Sequence, residues 1–169
     1  MHKEWDIVAA CWLPAGVTST LQALSDGIRG YLSSNAVEPR DLSHFGIVVE
    51  NIDGSVERLN RDLDTAWTAT TRDWVESLGV HVARGDFHGI ELELIQPVGQ
   101  SFFLEALQAG GEGIHHLSFT VADIDAGHAA LAAAGEPSMG GIRQGSHGRI
   151  AFFAPAAVAP VCIELCQQH

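Results

Sequence analysis

The stretch His44-Phe-Gly-Ile-Val-Val-Glu-Asn-Ile-Asp-Gly-Ser-Val-Glu-Arg-Leu59 returns 72 residues later as His116-Leu-Ser-Phe-Thr-Val-Ala-Asp-Ile-Asp-Ala-Gly-His-Ala-Ala-Leu131. The shift lays His44 on His116, Val49 on Val121, Ile52 on Ile124, Asp53 on Asp125 and Leu59 on Leu131. Downstream, Ile90-Glu-Leu-Glu-Leu94 falls over Val161-Cys-Ile-Glu-Leu165, one residue out of step. Each unit therefore begins with a histidine and nears its end with a glutamate, 49 residues apart in one copy and 48 in the other. Agreement at both ends of the unit, in order, marks an internal duplication.

Each copy reads as a strand, a helix and three further strands. His44–Ile52 is rich in β-branched residues and stops at Asp53, a suitable helix N-cap, after which Val56, Leu59 and Leu63 recur at helical spacing. Thr65–Thr71, Val80–Arg84 and Gly89–Ile95 follow as strands, with Gly85-Asp86 as a hairpin turn. In the second copy the strand His116–Ala122 leads to a cap at Asp123 or Asp125 and an alanine-rich helix stopped by Gly135. Ser138–Ile142 is a weak strand; Arg149–Phe153 and Val161–Cys166 are stronger. A short helix, Ser101–Ala109, joins the copies. The expected fold is α+β: two tandem βαβββ modules. Module one spans 44–97, the linker helix 98–113 and module two 114–169, behind a 1–43 extension with one helix. In that extension Leu21, Leu24, Ile28 and Leu32 form an apolar stripe, with Trp5 and Trp12 upstream, for packing on the outside of the domain or on a partner subunit.

Strand parity assigns faces. His44 lies with Gly46 and Val48, opposite Phe45, Ile47 and Val49; Glu91 and Glu93 lie opposite Ile90, Leu92 and Leu94. His116 goes with Ser118 and Thr120, while His115 falls on the face of Leu117, Phe119 and Val121. Glu164 stands between Cys162 and Cys166. Each repeated His and Glu thus occupies the less apolar face, and modules packed with those faces inward bring two imidazoles and two carboxylates together. That donor set suits a borderline divalent ion (Co, Ni, Mn, Zn or Fe) and leaves two positions of an octahedron for substrate oxygens. His115 reads as a packed histidine, His2, His128 and His169 as solvent-facing or terminal, and Cys162 and Cys166 as packing residues; His81, His88 and His147 carry no assignment from the pattern.

Composition bounds the rest. The chain has 169 residues, 46% hydrophobic, with 21 acidic residues against 9 basic ones, a formal charge of -12 and a mean hydropathy of +0.11. There is apolar material for one core, and such acidity opposes a nucleic-acid surface. Three cysteines without a CxxC pair make neither a disulfide framework nor a zinc ribbon. No apolar run approaches the roughly 20 residues of a membrane span, and the acidic start argues against a signal peptide. A cytoplasmic protein with neither nucleic-acid nor membrane partners is expected.

At these residues the sequence resembles the vicinal oxygen chelate superfamily and, within it, the methylmalonyl-CoA epimerases. Ser43-His44-Phe-Gly-Ile-Val-Val resembles the family's opening histidine strand, and Leu92-Glu93-Leu-Ile-Gln-Pro97 its strand that ends in a carboxylate or amide ligand. Gly111-Glu-Gly-Ile-His-His116-Leu-Ser-Phe-Thr-Val-Ala-Asp-Ile-Asp125 is the most specific piece; Gly145-Ser-His-Gly-Arg-Ile-Ala-Phe-Phe153 and Val161-Cys-Ile-Glu164-Leu resemble the closing strands. The resemblance covers about His44 to Gln167 and implies that the two modules form a cup-shaped, eight-stranded mixed sheet around one metal. It implies His44, Glu93, His116 and Glu164 as metal ligands, a homodimer, and an acyl-CoA thioester or other carbonyl acid as substrate. The implied chemistry is proton abstraction beside a carbonyl through a metal-stabilised enolate, with Glu164, His81 and Glu91 as catalytic candidates.

Departures qualify the substrate. Ala154-Pro155-Ala156 stands where the epimerases carry His-Pro-Lys, and Lys3 is the only lysine, so CoA phosphates would have to find Arg84, Arg143 or Arg149. The strand after Gly79 offers His81 or Val82 where a carboxylate base is expected. A glyoxalase I-like lyase, a biosynthetic isomerase, and a metal-free module that sequesters an antibiotic are the alternatives. A ring-cleaving dioxygenase, with two histidines and one carboxylate on iron, fits less well because of the second glutamate.

Overall fold

The computed structural model describes residues 17–62, 66–87, 89–146, 148–154 and 161–168. In chain order these form α1 (Val17–Ser34), β1 (Pro39–Val48), α2 (Ile52–Asp62), β2 (Thr71–Val75), β3 (Val80–Phe87), β4 (Ile90–Pro97), α3 (Phe102–Gly110), β5 (Gly113–Val121), α4 (Ile124–Ala133), β6 (Arg143–Gln144), β7 (Gly148–Phe153) and β8 (Cys162–Gln168). The eight strands make one mixed sheet ordered β2-β3-β4-β1-β5-β8-β7-β6. β1 pairs in parallel with β4, and β5 with β8, while β1 and β5 join the halves antiparallel to each other. The order of the second half mirrors that of the first, as the duplication requires.

Two apolar clusters divide the sheet by face. On the outer face Phe45, Ile47, Leu94, Leu117, Phe119 and Leu165 pack beneath Ile28 and Leu32 of α1, Leu59 of α2, and Ile124 and Leu131 of α4. On the inner face Val80, Val82, Ile95, Ile150 and Phe152 meet Phe103 of α3. Burial of each such side chain contributes about 1.5–3 kcal/mol, so both faces are strongly specified. Helix α1 thus covers the outside of the sheet; Leu24 adds to that contact, while the side chain of Leu21 and residues Trp5 and Trp12 lie outside what is described.

Several local expectations are corrected. The strand placed at Thr65–Thr71 is β2, four of whose five residues are exposed at the sheet's edge, so Arg72 and Asp73 carry no hydrophobic alternation to read. Gly85 and Asp86 are no turn: they pair with Leu92 and Glu91 inside the β3–β4 hairpin. The turn is made at Gly89, whose φ of 82° is left-handed and whose N–H donates to Asp86 Oδ1 at 3.2 Å. Asn51, not Asp53, caps α2, its Oδ1 accepting the Gly54 N–H at 2.8 Å. Of the two residues offered for α4, Asp123 is the cap. Ser138–Ile142 contributes only a bridge from Ser138 to Phe153. β1 begins at Pro39, ahead of the His44 boundary drawn from the repeat.

Candidate metal centre

His44 lies on β1, Glu93 on β4, His116 on β5 and Glu164 on β8, the four central strands. Register brings them level: Gly46 pairs with both Glu93 and His116, and Ser118 pairs with both His44 and Glu164. The four side chains converge on the inner face. Glu164 Oε2 stands 3.0 Å from His116 Nε2 and 3.2 Å from His44 Nε2, and the two imidazole nitrogens are 3.3 Å apart. Glu93 Oε2 is 3.5 Å from His44 Nε2 and 3.9 Å from His116 Nε2. His44, Glu93 and His116 each offer an atom within 4.8 Å of the others. All four residues are buried.

A Cβ built on Gly46 would fall inside the imidazole of His116, so the missing side chain is the seat of that ring. At the same place the pairing of β1 with β5 slips between Gly46 and Ile47. This bulge turns His115 onto the inner side, against Phe102, Phe103 and Phe152, rather than onto the outer face expected from strict alternation. His115 Nδ1 then lies 3.1 Å from His116 Nδ1. Burial, and next the neighbouring His116, push the His115 imidazole down to about 3, which keeps it neutral. A neutral His115 can accept the Nδ1–H of His116, aiming Nε2 at the centre; Ser43 Oγ is placed likewise, 3.1 Å from His44 Nδ1.

The charges are coupled. Burial alone would push the His44 imidazole down, but Glu93 and then Glu164 outweigh it and raise the group to about 10. Burial would push both carboxyls up, yet His44 beside Glu93, and His116 with His44 beside Glu164, hold them well below the usual range. Without a bound cation, His44 carries the positive charge. Its pairing then stabilises the fold fully below its ordinary value of 6.5 and is lost as pH rises toward 10, whereas the carboxylates' contribution is present above 4.5 and lost below it. Metal-free protein is therefore expected to lose several degrees of thermal midpoint between pH 6.5 and 9.5, a slope that His44→Gln flattens. Thermal scans across that range check it; equal slopes in both proteins would dismiss the buried charge on His44.

Glu164 Oε2 is fully buried against the Nε2 atoms of both imidazoles, and Ser118 Oγ, on the neighbouring strand, is buried without a hydrogen-bonding partner. Two buried carboxylates facing two imidazole nitrogens fit a divalent cation, and the mixed N and O donors are those that Mn, Fe, Co, Ni or Zn accept. Burial, then Glu164 and Glu93, push the Cys166 thiol up to about 12, and burial raises Cys162.

The remaining candidates divide. Glu91 is two residues before Glu93 on the same side of β4, half-buried and paired with Asp86. His81 does not join the site: Val80 and Val82 on either side of it line the cavity, while His81 is exposed and its ring lies 4.9 Å from that of Trp74. Period-two alternation gives the reason: one strand cannot aim Val82 and His81 the same way. Of the arginines considered for phosphates, Arg149 is held by Asp125 at 2.6 and 2.8 Å, and Arg143 lies over the ring of Phe102. Arg84 is buried on Glu93, its Nε donating to Oε1 at 2.7 Å, a contact the sequence reading missed. His128 bonds Ser138 on the outside; His2, His88, His147 and His169 lie outside the described residues. The small cavity above the centre is otherwise walled by apolar side chains that include Val75, Leu78, Val80, Ile95, Ile150 and Phe152.

A family model described as the Glyoxalase/Bleomycin resistance protein/Dioxygenase superfamily matches residues 43–153. No curated protein matches the sequence. Among solved structures, the chain is similar to a methylmalonyl-CoA epimerase from Mycobacterium tuberculosis (TM-score 0.65, 25% identity, covering 79% of this chain and 89% of that one). A Streptomyces coelicolor methylmalonyl-CoA epimerase variant, in complex with 2-nitronate-propionyl-CoA, gives a TM-score of 0.66 at 28% identity, covering 78% and 99%. A hypothetical protein from Bacillus halodurans gives 0.66 at 25% identity, covering 76% and 94%. Among the described residues no helix is long and apolar enough to cross a membrane.

Proposed function

Because the chain belongs to the Glyoxalase/Bleomycin resistance protein/Dioxygenase superfamily, we propose that it is an epimerase or isomerase whose cup binds one divalent metal ion and removes a proton from the carbon beside a carbonyl. His44, Glu93, His116 and Glu164 would hold the ion. The observation that carries this reading is the buried Glu164 Oε2 set between two imidazole nitrogens, with Glu93 Oε2 facing the same pair. The ion, when bound, supplies Lewis acidity to the substrate's carbonyl oxygen.

The chain's own residues do the rest. Glu164 is held ionised, the state a base requires, and takes the proton. Phe103, Phe152, Ile95 and Val80 exclude water around the reacting carbon. Glu91, two residues before Glu93 on β4, would return a proton from another direction. The substrate class is an acyl-CoA thioester or similar carbonyl acid, supported by the similarity to an epimerase holding 2-nitronate-propionyl-CoA. Arg143, beside the aromatic wall, is the arginine left for phosphates. A homodimer in the cytoplasm belongs to the same reading.

Val80 and Val82 on the inner face of β3 favour a second reading. With no acid–base group on that wall, Glu164 alone would take the proton and give it back, as in a glyoxalase I-like lyase acting on a hemithioacetal, or in a biosynthetic isomerase. Incubation in deuterated water separates the two. A 2-substituted malonyl thioester is expected to gain solvent deuterium at the acidic carbon, and Glu164→Gln to slow this by at least ~100-fold. Turnover of a hemithioacetal without thioester exchange would transfer the assignment to the second reading. Metal-loaded protein inert toward both classes would end the proton-transfer proposal.

A further inference from the structure

Among the described residues Arg84 is the only buried arginine. It lines the same cavity as His44, Glu93 and Glu164. Its Nε donates to Glu93 Oε1 at 2.7 Å, its Nη2 to Ser146 Oγ ahead of β7, and Asp73 at the edge is 3.9 Å from Nη1. A buried ion pair is weak as a stabilising device, since apolar residues of the same volume often do as well. What it does here is geometric. One oxygen of Glu93 is tied to the guanidinium, and the other, Oε2, is the atom that faces His44 and His116.

A carboxylate left to itself can coordinate a cation through both oxygens. On the metal reading given above, a second bond from Glu93 would consume a coordination position. We propose that Arg84 is a positioning residue that holds Glu93 to a single coordinating oxygen, and so keeps a place for the second oxygen of a chelating anionic substrate. The charges agree: two carboxylates, one guanidinium and a divalent ion leave a net single positive charge, which favours an anion that offers two oxygens. The fork of the guanidinium matters, because it fixes the plane of the carboxylate as well as its charge.

The test uses cobalt-loaded full-length protein, with oxalate as the probe, and reads cobalt content, the visible absorption spectrum and oxalate affinity. Arg84→Met is expected to keep cobalt, to change its spectrum, and to bind oxalate about 10- to 100-fold more weakly. An amide binds through its one carbonyl oxygen without help, so in the Glu93→Gln background the same change should alter oxalate affinity less than about twofold. That double variant also leaves no unpaired buried charge. Should Arg84→Met not fold, Arg84→Lys carries the same comparison: a compact cation without the fork should weaken oxalate binding beside Glu93 and leave it unchanged beside the amide. Wild-type oxalate affinity in the Arg84 variants overturns the proposal. So does an equal loss with and without Glu93→Gln, which would mean that Arg84 acts on the anion directly, by contact or by charge, and not through Glu93. Failure of the wild type to take up cobalt would instead sink the metal reading on which the proposal rests.

Discussion

His116→Ala and Glu164→Ala, each still folded by circular dichroism, are expected to lose the bound ion: from about one per chain in the wild type to a small fraction, with at least ~100-fold weaker uptake. The reason lies in the geometry. His116 Nε2 and Glu164 Oε2 are 3.0 Å apart at the centre of the site, so removing either takes away a donor and leaves the other facing an apolar void. Elemental analysis of untagged protein, after incubation with Co, Ni, Mn or Zn, reads the result. An ion retained in both variants would place the metal elsewhere. No ion in the wild type under any of these conditions would turn the cup into a binding pocket and remove the epimerase reading.

The second large effect comes from a residue that touches no ion. Gly46→Ala places a methyl group where the His116 ring lies, and that ring is fully buried, so neither can give way cheaply. Overpacking of this kind costs about 1–3 kcal/mol. Here the ring must also turn away from the centre, so a loss of metal affinity of about 10- to 100-fold is expected beside the lowered thermal midpoint. Gly27→Ala is the control: a Cβ there meets nothing within 4 Å on the exposed side of α1, and the change should raise stability by roughly 0.5–1 kcal/mol without altering metal content. Unchanged metal uptake in Gly46→Ala would show that the His116 ring is seated by something other than the β1 backbone.

The convergence of these side chains is legible in the sequence, because duplication places equivalent residues at equivalent points of a folded unit. His44, His116, Glu93 and Glu164 stood out as a set, and parity put them on one side of their strands. The errors have common physical causes. Parity assumes an unbroken pleat, and the bulge beside Gly46 breaks it, so alternation puts His115 on the wrong face. The misplaced hairpin turn had a larger consequence. With Gly85-Asp86 read as the turn, Arg84 became the last residue of its strand and its partner across the ladder could not be named. With the turn at Gly89, Arg84 pairs directly with Glu93. A shift of a few residues in one turn thus concealed the cation that holds a proposed ligand. The edge strand β2 was displaced because exposed residues leave no alternation to follow.

The antiparallel seam between β1 and β5 bears on cooperativity. Each half of the chain contributes one histidine and one glutamate, and no donor pair in either half completes the set alone. An ion that binds all four binds only the state in which both halves are folded and docked, so its binding free energy is added to that state and to none in which one half has opened. The loaded protein would then melt as a single unit, a cross-link in effect, while removal of the ion would leave the seam to the β1–β5 pairing, the shared core and the buried His–Glu pairs that cross it.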